Sequence, residues 1–286
     1  MSDVLSQSVT TASPISGQLQ KMKSQLADPV MYQLPVGESL VSLNELLGQQ
    51  ITLKFLGAIH CIACGRKTNK SFNQGYCFPC FKKLPQCDSC IMSPEKCHYD
   101  QGTCRDATWG DQFCMTDHIV YLANSSGVKV GITRLSQVPT RWIDQGATQA
   151  LPIMRVATRQ QSGLVEAAMK AFVADKTNWR TMLKGTSDEV DLVNKRDELF
   201  AQCAETITSL QQQFGVQALQ AITDAKPYTI NYPVLQYPVK VTALNFDKQS
   251  EITGTLLGIK GQYLIMDIGV LNIRKYTAYN IQFSIV

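Results

Sequence analysis

The stretch "CIACGRKTNKSFNQGYCFPC", residues 61 to 80, has the residue types and spacing to hold a metal ion. Cys61 and Cys64 are separated by two residues, as are Cys77 and Cys80, and twelve residues lie between the pairs. A Cys-x-x-Cys turn aims two thiolates at one ion, and a second such turn completes a tetrahedron. Gly65 stands where the first turn needs a residue tolerant of left-handed backbone. A second set follows in "CDSCIMSPEKCHYDQGTC", which offers Cys87, Cys90, Cys97 and Cys104, with His98 or Cys114 as candidates to replace one of them. The expectation is two structural Zn2+ sites of four cysteines each, closed to water and therefore not catalytic. An iron–sulfur cluster would use the same thiolates, and at the second set the choice between it and zinc stays open. A thioredoxin-like redox role fits less well, since those motifs come singly beside a βαβ pattern. The tenth cysteine, Cys203, falls on the apolar stripe of a helical pattern and reads as core.

A different chemistry is suggested further along. "HIVYLANSSGVKVGITR", His118 to Arg134, reads as strand, turn and strand, and cations follow it: Arg134, Arg141, Arg159, Lys176 and Arg180. The net charge of +4 is mild, but it is unevenly spread. Residues 51 to 105 carry eight Lys and Arg against three acids, and residues 129 to 185 carry nine against three. Local basic surface suits a polyanion. Trp142 and Trp179 each neighbour an arginine and could stack a base or a guanidinium. Arg134, Trp142, Arg159, Lys176 and Arg180 are thus the candidate nucleic-acid contacts, with DNA and RNA not distinguished. Arg66, Lys67, Lys70, Lys82 and Lys83 tilt the cysteine block toward phosphate as well, and Tyr76, Phe78 and Phe81 beside it could stack bases or pack around the metal.

The elements that must position these residues divide the chain. At 286 residues and 44% hydrophobic, it can build two or three cores. Residues 1–28 read mostly as a disordered tail, apart from a short helical stripe of Leu19, Met22 and Leu26. Residues 29–60 hold an N-terminal β segment in which Ile51, Leu53 and Phe55 alternate. Residues 61–115 are cysteine-rich and too poor in apolar runs to fold without a staple. Residues 116–225 pattern as an α/β domain: the hairpin, a short helix opened by Pro139 and closed near Gly146, a strand at 151–157, then helices, the last opened by "TSDE" as a capping box. Residues 226–286 change to period two with frequent glycines and read as a small β-barrel-like unit, which the strand near 51–57 could join. The fold class expected is α+β.

"VYLANSSGVKVGIT", then "TRW" and "GLVEAAMKAF", resembles the GIY-YIG nuclease domain over about residues 116–180. The resemblance implies that Glu166 holds a divalent metal, Mg2+ or Mn2+, and that Arg141 stabilises charge on the phosphate. It places Gly131 at the motif glycine and Lys129 at the second tyrosine position, and puts Val120 at the first, with Tyr121 facing the other side of the strand. Both usual tyrosines are then changed. Lysine is a poor general base unless burial lowers its pKa, so Tyr121 after a register shift, or His118, would have to act on the water. Tyr121, Lys129, Arg141 and Glu166 are the candidate catalytic set. The cysteine block with "GTCRD", "KVGITR", "RWIDQGA" and "DKTNWR" is also similar to an uncharacterised bacterial family of unknown function.

No phosphate-cradling glycine loop of the nucleotide-hydrolysing kind is present. No apolar run reaches the roughly 18 residues of a membrane helix, and the polar first residues lack a signal-peptide core. The expectation is a cytoplasmic, zinc-binding protein that binds nucleic acid without a membrane. The alternatives are an active metal-dependent nuclease with altered residues and a zinc-stapled module that docks a protein partner.

Overall fold

A computed structural model describes residues 13–173 and 177–286. The chain divides into two compact units, one made of Met1–Phe81, Leu183–Gly185 and Asn231–Val286, the other of Lys82–Met182 and Thr186–Ile230. Among the described residues the first is built almost entirely of strands, with the start of the short helix Phe78–Lys83, the second mixes α and β structure, and their sheets are antiparallel.

In the first unit the long strand Gln50–His60 lies between Tyr279–Ile285 and Glu251–Lys260. Its alternation buries Ile51 and Leu53, and Leu53 stands opposite Phe283 on one side and Ile252 on the other, both buried. The strand expected near 51–57 therefore does join the C-terminal strands. The barrel expected there does not form. The sheet runs in the order Ile15–Gln18, Tyr279–Ile285, Gln50–His60, Glu251–Lys260, Tyr263–Met266, Gly269–Asn272, with Lys67–Thr68 also on Gln50–His60. Closure would need the two outer strands to pair; instead Ile15–Gln18 takes one edge and Gly269–Asn272 the other.

That edge strand also corrects the helical reading of Leu19, Met22 and Leu26. The chain is extended at Ile15–Gln18 and Lys23–Gln25, and Leu19 and Met22 are buried. A helix there loses to a distant partner: the Gln262 amide accepts from the Met22 N–H at 2.9 Å and donates to the Met22 carbonyl at 3.1 Å. The tail reading of residues 1–12 lies outside the described residues.

The same unit buries Lys260 completely, its Nζ donating to the Gly185 carbonyl at 2.7 Å and lying 5.4 Å from the Tyr232 and Tyr237 ring centres. Burial lowers its pKa to about 8, because a low-dielectric surrounding disfavours the ammonium.

The second unit has a sheet ordered Leu219–Ala221, Gln149–Val156, His118–Asn124, Val128–Arg134, with Tyr228–Thr229 added to Gln149–Val156. Every residue of the central strand His118–Asn124 is buried. One face of the hairpin, through Val120, Leu122 and Val130, meets Val165 and Met169 of the helix Arg159–Met169 and Leu192 and Leu199 of the helix Leu192–Gln202 in a single core. Cys203 is part of that core. The capping box read at Thr186–Glu189 is not one: the helix starts at Leu192, where the Asp191 carboxylate takes the Val193 and Asn194 N–H groups, each at 3.0 Å. A capping box occurs instead at Thr158 and Gln161, opening the helix Arg159–Met169.

Candidate functional site

The first cysteine set grows out of the long strand. The chain leaves Gln50–His60, turns through Cys61–Gly65 and returns as Lys67–Thr68. Gly65, at φ +69, lets its N–H reach the Cys61 carbonyl at 2.9 Å. The second turn runs from Phe72 to Tyr76 and hands Cys77 to the short helix Phe78–Lys83, which carries Cys80. An Ile62 N–H to Gly75 carbonyl bond of 2.9 Å ties the two turns together. The four sulfurs lie within 4.8 Å of one another, with Cys64 and Cys77 at 3.7 Å. Tetrahedral zinc, with bonds of ~2.3 Å, wants its sulfurs ~3.8 Å apart, so this cluster could hold a metal ion such as zinc. Burial raises the Cys61 thiol, but hydrogen bonds from the backbone of Cys77, Ala63 and Cys64 outweigh it and the net shift is downward. Cys80 is shifted up by desolvation and by Cys77, Cys64 and Cys61 beside it. A cation would relieve that crowding. Of the flanking aromatics, Phe78 and Phe81 gather on Phe72, with ring centres 5.5 and 5.8 Å from it.

Cys90, Cys97, Cys104 and Cys114 line one pocket, while Cys87 is buried in the preceding turn Pro85–Cys87 and does not line it. Asp88, Cys90 and His98 place ligand atoms within 4.8 Å of one another. Asp88 is already engaged, accepting from the Ser89 N–H at 2.6 Å and pairing with Arg105 at 2.8 Å, while His98 is oriented by a 2.8 Å bond from Nδ1 to Thr103 and turns Nε2 toward Asp88 at 3.6 Å. Burial acts to raise the Asp88 carboxyl, and the Ser89 N–H and Arg105 overcome it, so its pKa falls below the usual range. The Cys90 thiol is pushed up to about 11, first by burial, then by the charges of Asp88, Cys97 and Cys114.

At the hairpin, Tyr121 stands opposite Gly131 and Ala123 opposite Lys129. Paired residues share a face, so Tyr121, Gly131 and Lys129 lie together, and Val120 is on the core side. Val120, which the resemblance would put in the tyrosine position, faces the core. A register shift between Val120 and Tyr121 against Gln149–Val156 accompanies the placement; such irregularities re-aim side chains. A Cβ on Gly131 would come within 2.7 Å of the Tyr121 oxygen, so glycine is what lets the ring lie across the second strand. The phenol donates to Gln145 Oε1 at 3.0 Å, bonds Arg141, and feels the charge of Glu166. Tyr121 is fully buried, and burial, opposed by Arg141 and helped by Glu166, pushes its pKa up to about 12. It keeps its proton at neutral pH. Glu166, on the helix Arg159–Met169, also pairs with Lys170 at 3.2 Å. Lys129 is buried and its ammonium donates to Thr177. His118 takes no part: it is buried, its Nδ1 sits 2.7 Å from the Thr116 carbonyl, and burial lowers its pKa to about 4.

The structure thus brings Tyr121, Arg141 and Glu166 together, with Lys129 on the same strand face as Tyr121. It does not do the same for the expected nucleic-acid contacts. Trp142 is fully buried, its ring 5.9 Å from Tyr121 and 5.1 Å from Tyr228, and offers no face to a base. Arg159 is turned to the cysteine loop, donating to the Ile91 carbonyl at 2.7 Å. Arg134 covers the Phe113 ring at 4.8 Å, and the exposed Arg180 covers Trp179 at 4.3 Å. Lys176 lies outside the described residues. Sequence reasoning missed Gln145, the acceptor for Tyr121; its only signal was a polar residue one turn beyond Arg141 on a short helix.

Comparison with known proteins gives one positive finding. A protein-family model described as a protein of unknown function (DUF2797) matches residues 48–281, a span that includes both cysteine sets, the hairpin and Glu166. No curated protein and no solved structure matches the chain.

Proposed function

The chain belongs to the DUF2797 family, and from that premise we propose that it is a zinc-binding protein that binds nucleic acid through a GIY-YIG-like site. The observation that carries this is the meeting of Tyr121, Arg141 and Glu166 across the hairpin and two helices. Arg141 supplies the planar cation that recognises a phosphodiester, and Glu166 supplies a carboxylate for a Mg2+ or Mn2+ ion bridging to it. The Cys61, Cys64, Cys77, Cys80 cluster holds zinc as a structural element. Binding is favoured over cutting because Tyr121 is buried and protonated and Lys129 replaces the second tyrosine. Neither is placed to activate water.

A second reading, residual metal-dependent cleavage, draws on the same gathering of Tyr121, Arg141 and Glu166. One experiment separates the two. Labelled single- and double-stranded DNA and RNA are incubated with protein and magnesium or manganese, beside Arg141→Ala and Glu166→Ala. Binding that weakens with salt and in Arg141→Ala, without cutting, is the expected result. Cutting that disappears in Glu166→Ala moves the conclusion to the second reading. Neither binding nor cutting by folded protein overturns both and leaves a protein partner as the ligand to seek.

A further inference from the structure

The loop 85–114 contributes few apolar residues to any core; between Pro85 and Lys96 it is built from three successive 3-10 turns, Pro85–Cys87, Ser89–Ile91 and Pro94–Lys96. Such a segment needs a cross-link to hold a shape. Four thiols converge on its pocket, those of Cys90, Cys97, Cys104 and Cys114. We propose that these four cysteines, with Cys114 in the place the sequence spacing would give to Cys87, hold a second thiophilic metal centre, and that this centre fixes the helix Arg159–Met169.

The helix meets the loop at the ligand residues themselves. The Arg159 N–H donates to the Cys114 carbonyl at 2.8 Å, the Gln160 amide to the Cys97 carbonyl at 3.0 Å, and the Arg159 guanidinium to the carbonyl of Ile91, next to Cys90, at 2.7 Å. One turn later Gly163 lies so close to the turn Pro94–Lys96 that a Cβ would meet the Glu95 nitrogen at 2.6 Å and Pro94 at 2.7 Å. A loop whose conformation varied could not keep this fit.

The charges agree. Four thiolates around a divalent ion, or around an iron–sulfur cluster, leave a net negative centre. The Arg159 Nε is buried with no hydrogen-bond partner among the described residues, and the guanidinium lies within electrostatic reach of Cys90 and Cys114. A buried cation beside a negative centre is compensated; beside four neutral thiols it is not. Asp88 is set aside as a ligand by its bonds to Ser89 and Arg105, whereas His98, held at Nδ1 by Thr103, keeps Nε2 toward Asp88 at 3.6 Å. Cys97, Cys104 and Cys114 lie outside the 4.8 Å group that contains Cys90. A single zinc would need the loop to tighten, whereas a cluster takes each sulfur on a different atom; the shared chemistry is thiolate ligation.

The test is metal, iron and acid-labile sulfide content per chain, with visible spectra, on full-length protein purified without oxygen. Wild type is expected to hold two centres, either two zinc ions or one zinc and one iron–sulfur chromophore. Cys114→Ser is expected to lose the second centre and keep the first, and Cys87→Ser to keep both. In Cys114→Ser, amides of residues 160–169 should exchange with solvent faster while those of 61–81 are unchanged. Should Cys114→Ser fail to fold, intact-mass measurement of native wild type still decides. One metal ion per chain overturns the proposal, as does loss of the second centre in Cys87→Ser but not in Cys114→Ser.

Discussion

The two cysteine sets are organised by opposite routes. In the first, each pair sits on its own tight turn, and both turns are bonded to each other within 20 residues of chain, at Ile62 and Gly75. In the second, the thiols come one at a time, the last after an intervening helix Ala107–Phe113, and the loop is held by side chains from a helix more than 40 residues further on. The first set is organised by local backbone geometry and the second by a distant partner. The lesson is that ligand spacing identifies a site only where the ligands share turns.

The largest test of that contrast is removal of metal. Structural zinc contributes on the order of 10 kcal/mol to folding in small metal-dependent modules, so chelation, or Cys64→Ser, should unfold residues 61–81. Amide exchange should show this with the strand pairing of residues 51–55 retained. If residues 61–81 keep their protection without metal, the first set is not a staple. Next is a control on the unit that carries this set. The Lys260 pKa of about 8 lies below its ordinary 10.5, so between those values the unfolded chain binds more protons than the folded one. The penalty is therefore fully present below pH 8 and fades as pH rises to 10.5, a change of about 3 kcal/mol. Denaturant stability should rise over that window in wild type and lose that rise in Lys260→Met. An identical pH slope in the two would show that the burial of Lys260 does not matter.

Two smaller changes probe the second set. Gly163→Ala pushes a Cβ into the backbone of Glu95, and overpacking of this kind costs about 1–3 kcal/mol. It should lower the thermal midpoint and loosen the loop 85–114 without touching residues 61–81, as amide exchange would report. Gln160→Ala removes one side-chain bond to the Cys97 carbonyl, worth about 1 kcal/mol. Its effect should be additive with Cys64→Ser, which belongs to the other unit, and non-additive with Gly163→Ala on the same helix.

The same division between local and distant causes explains what was legible in the sequence. The Cys61–Cys80 turns, the hairpin, the helix between Pro139 and Gly146 and the alternation of the strand near residue 51 follow from patterns a few residues long. The missed features depend on partners far away in the chain. Met22 is held extended by Gln262. Trp142, read as a base-stacking residue beside Arg141, is covered by Tyr121 and Tyr228. Cys114 lines the pocket because the loop folds back on the helix that Arg159 opens.

The position of Gln50–His60, between Glu251–Lys260 and Tyr279–Ile285, has a consequence for synthesis. Ile51 pairs with Ile285, which leaves the ribosome more than two hundred residues after it. The central strand of the first unit must therefore wait, with its apolar residues uncovered, until Tyr279–Ile285 has been made. The second unit has its whole sheet by residue 229 and can fold in the meantime. Ribosome-bound chains stopped at about residue 270, with the second unit clear of the exit tunnel, should hold a protease-resistant second unit and a first unit that is still open. A staple closed early by the first cysteine set would give that waiting strand an ordered end from which the later strands can zip.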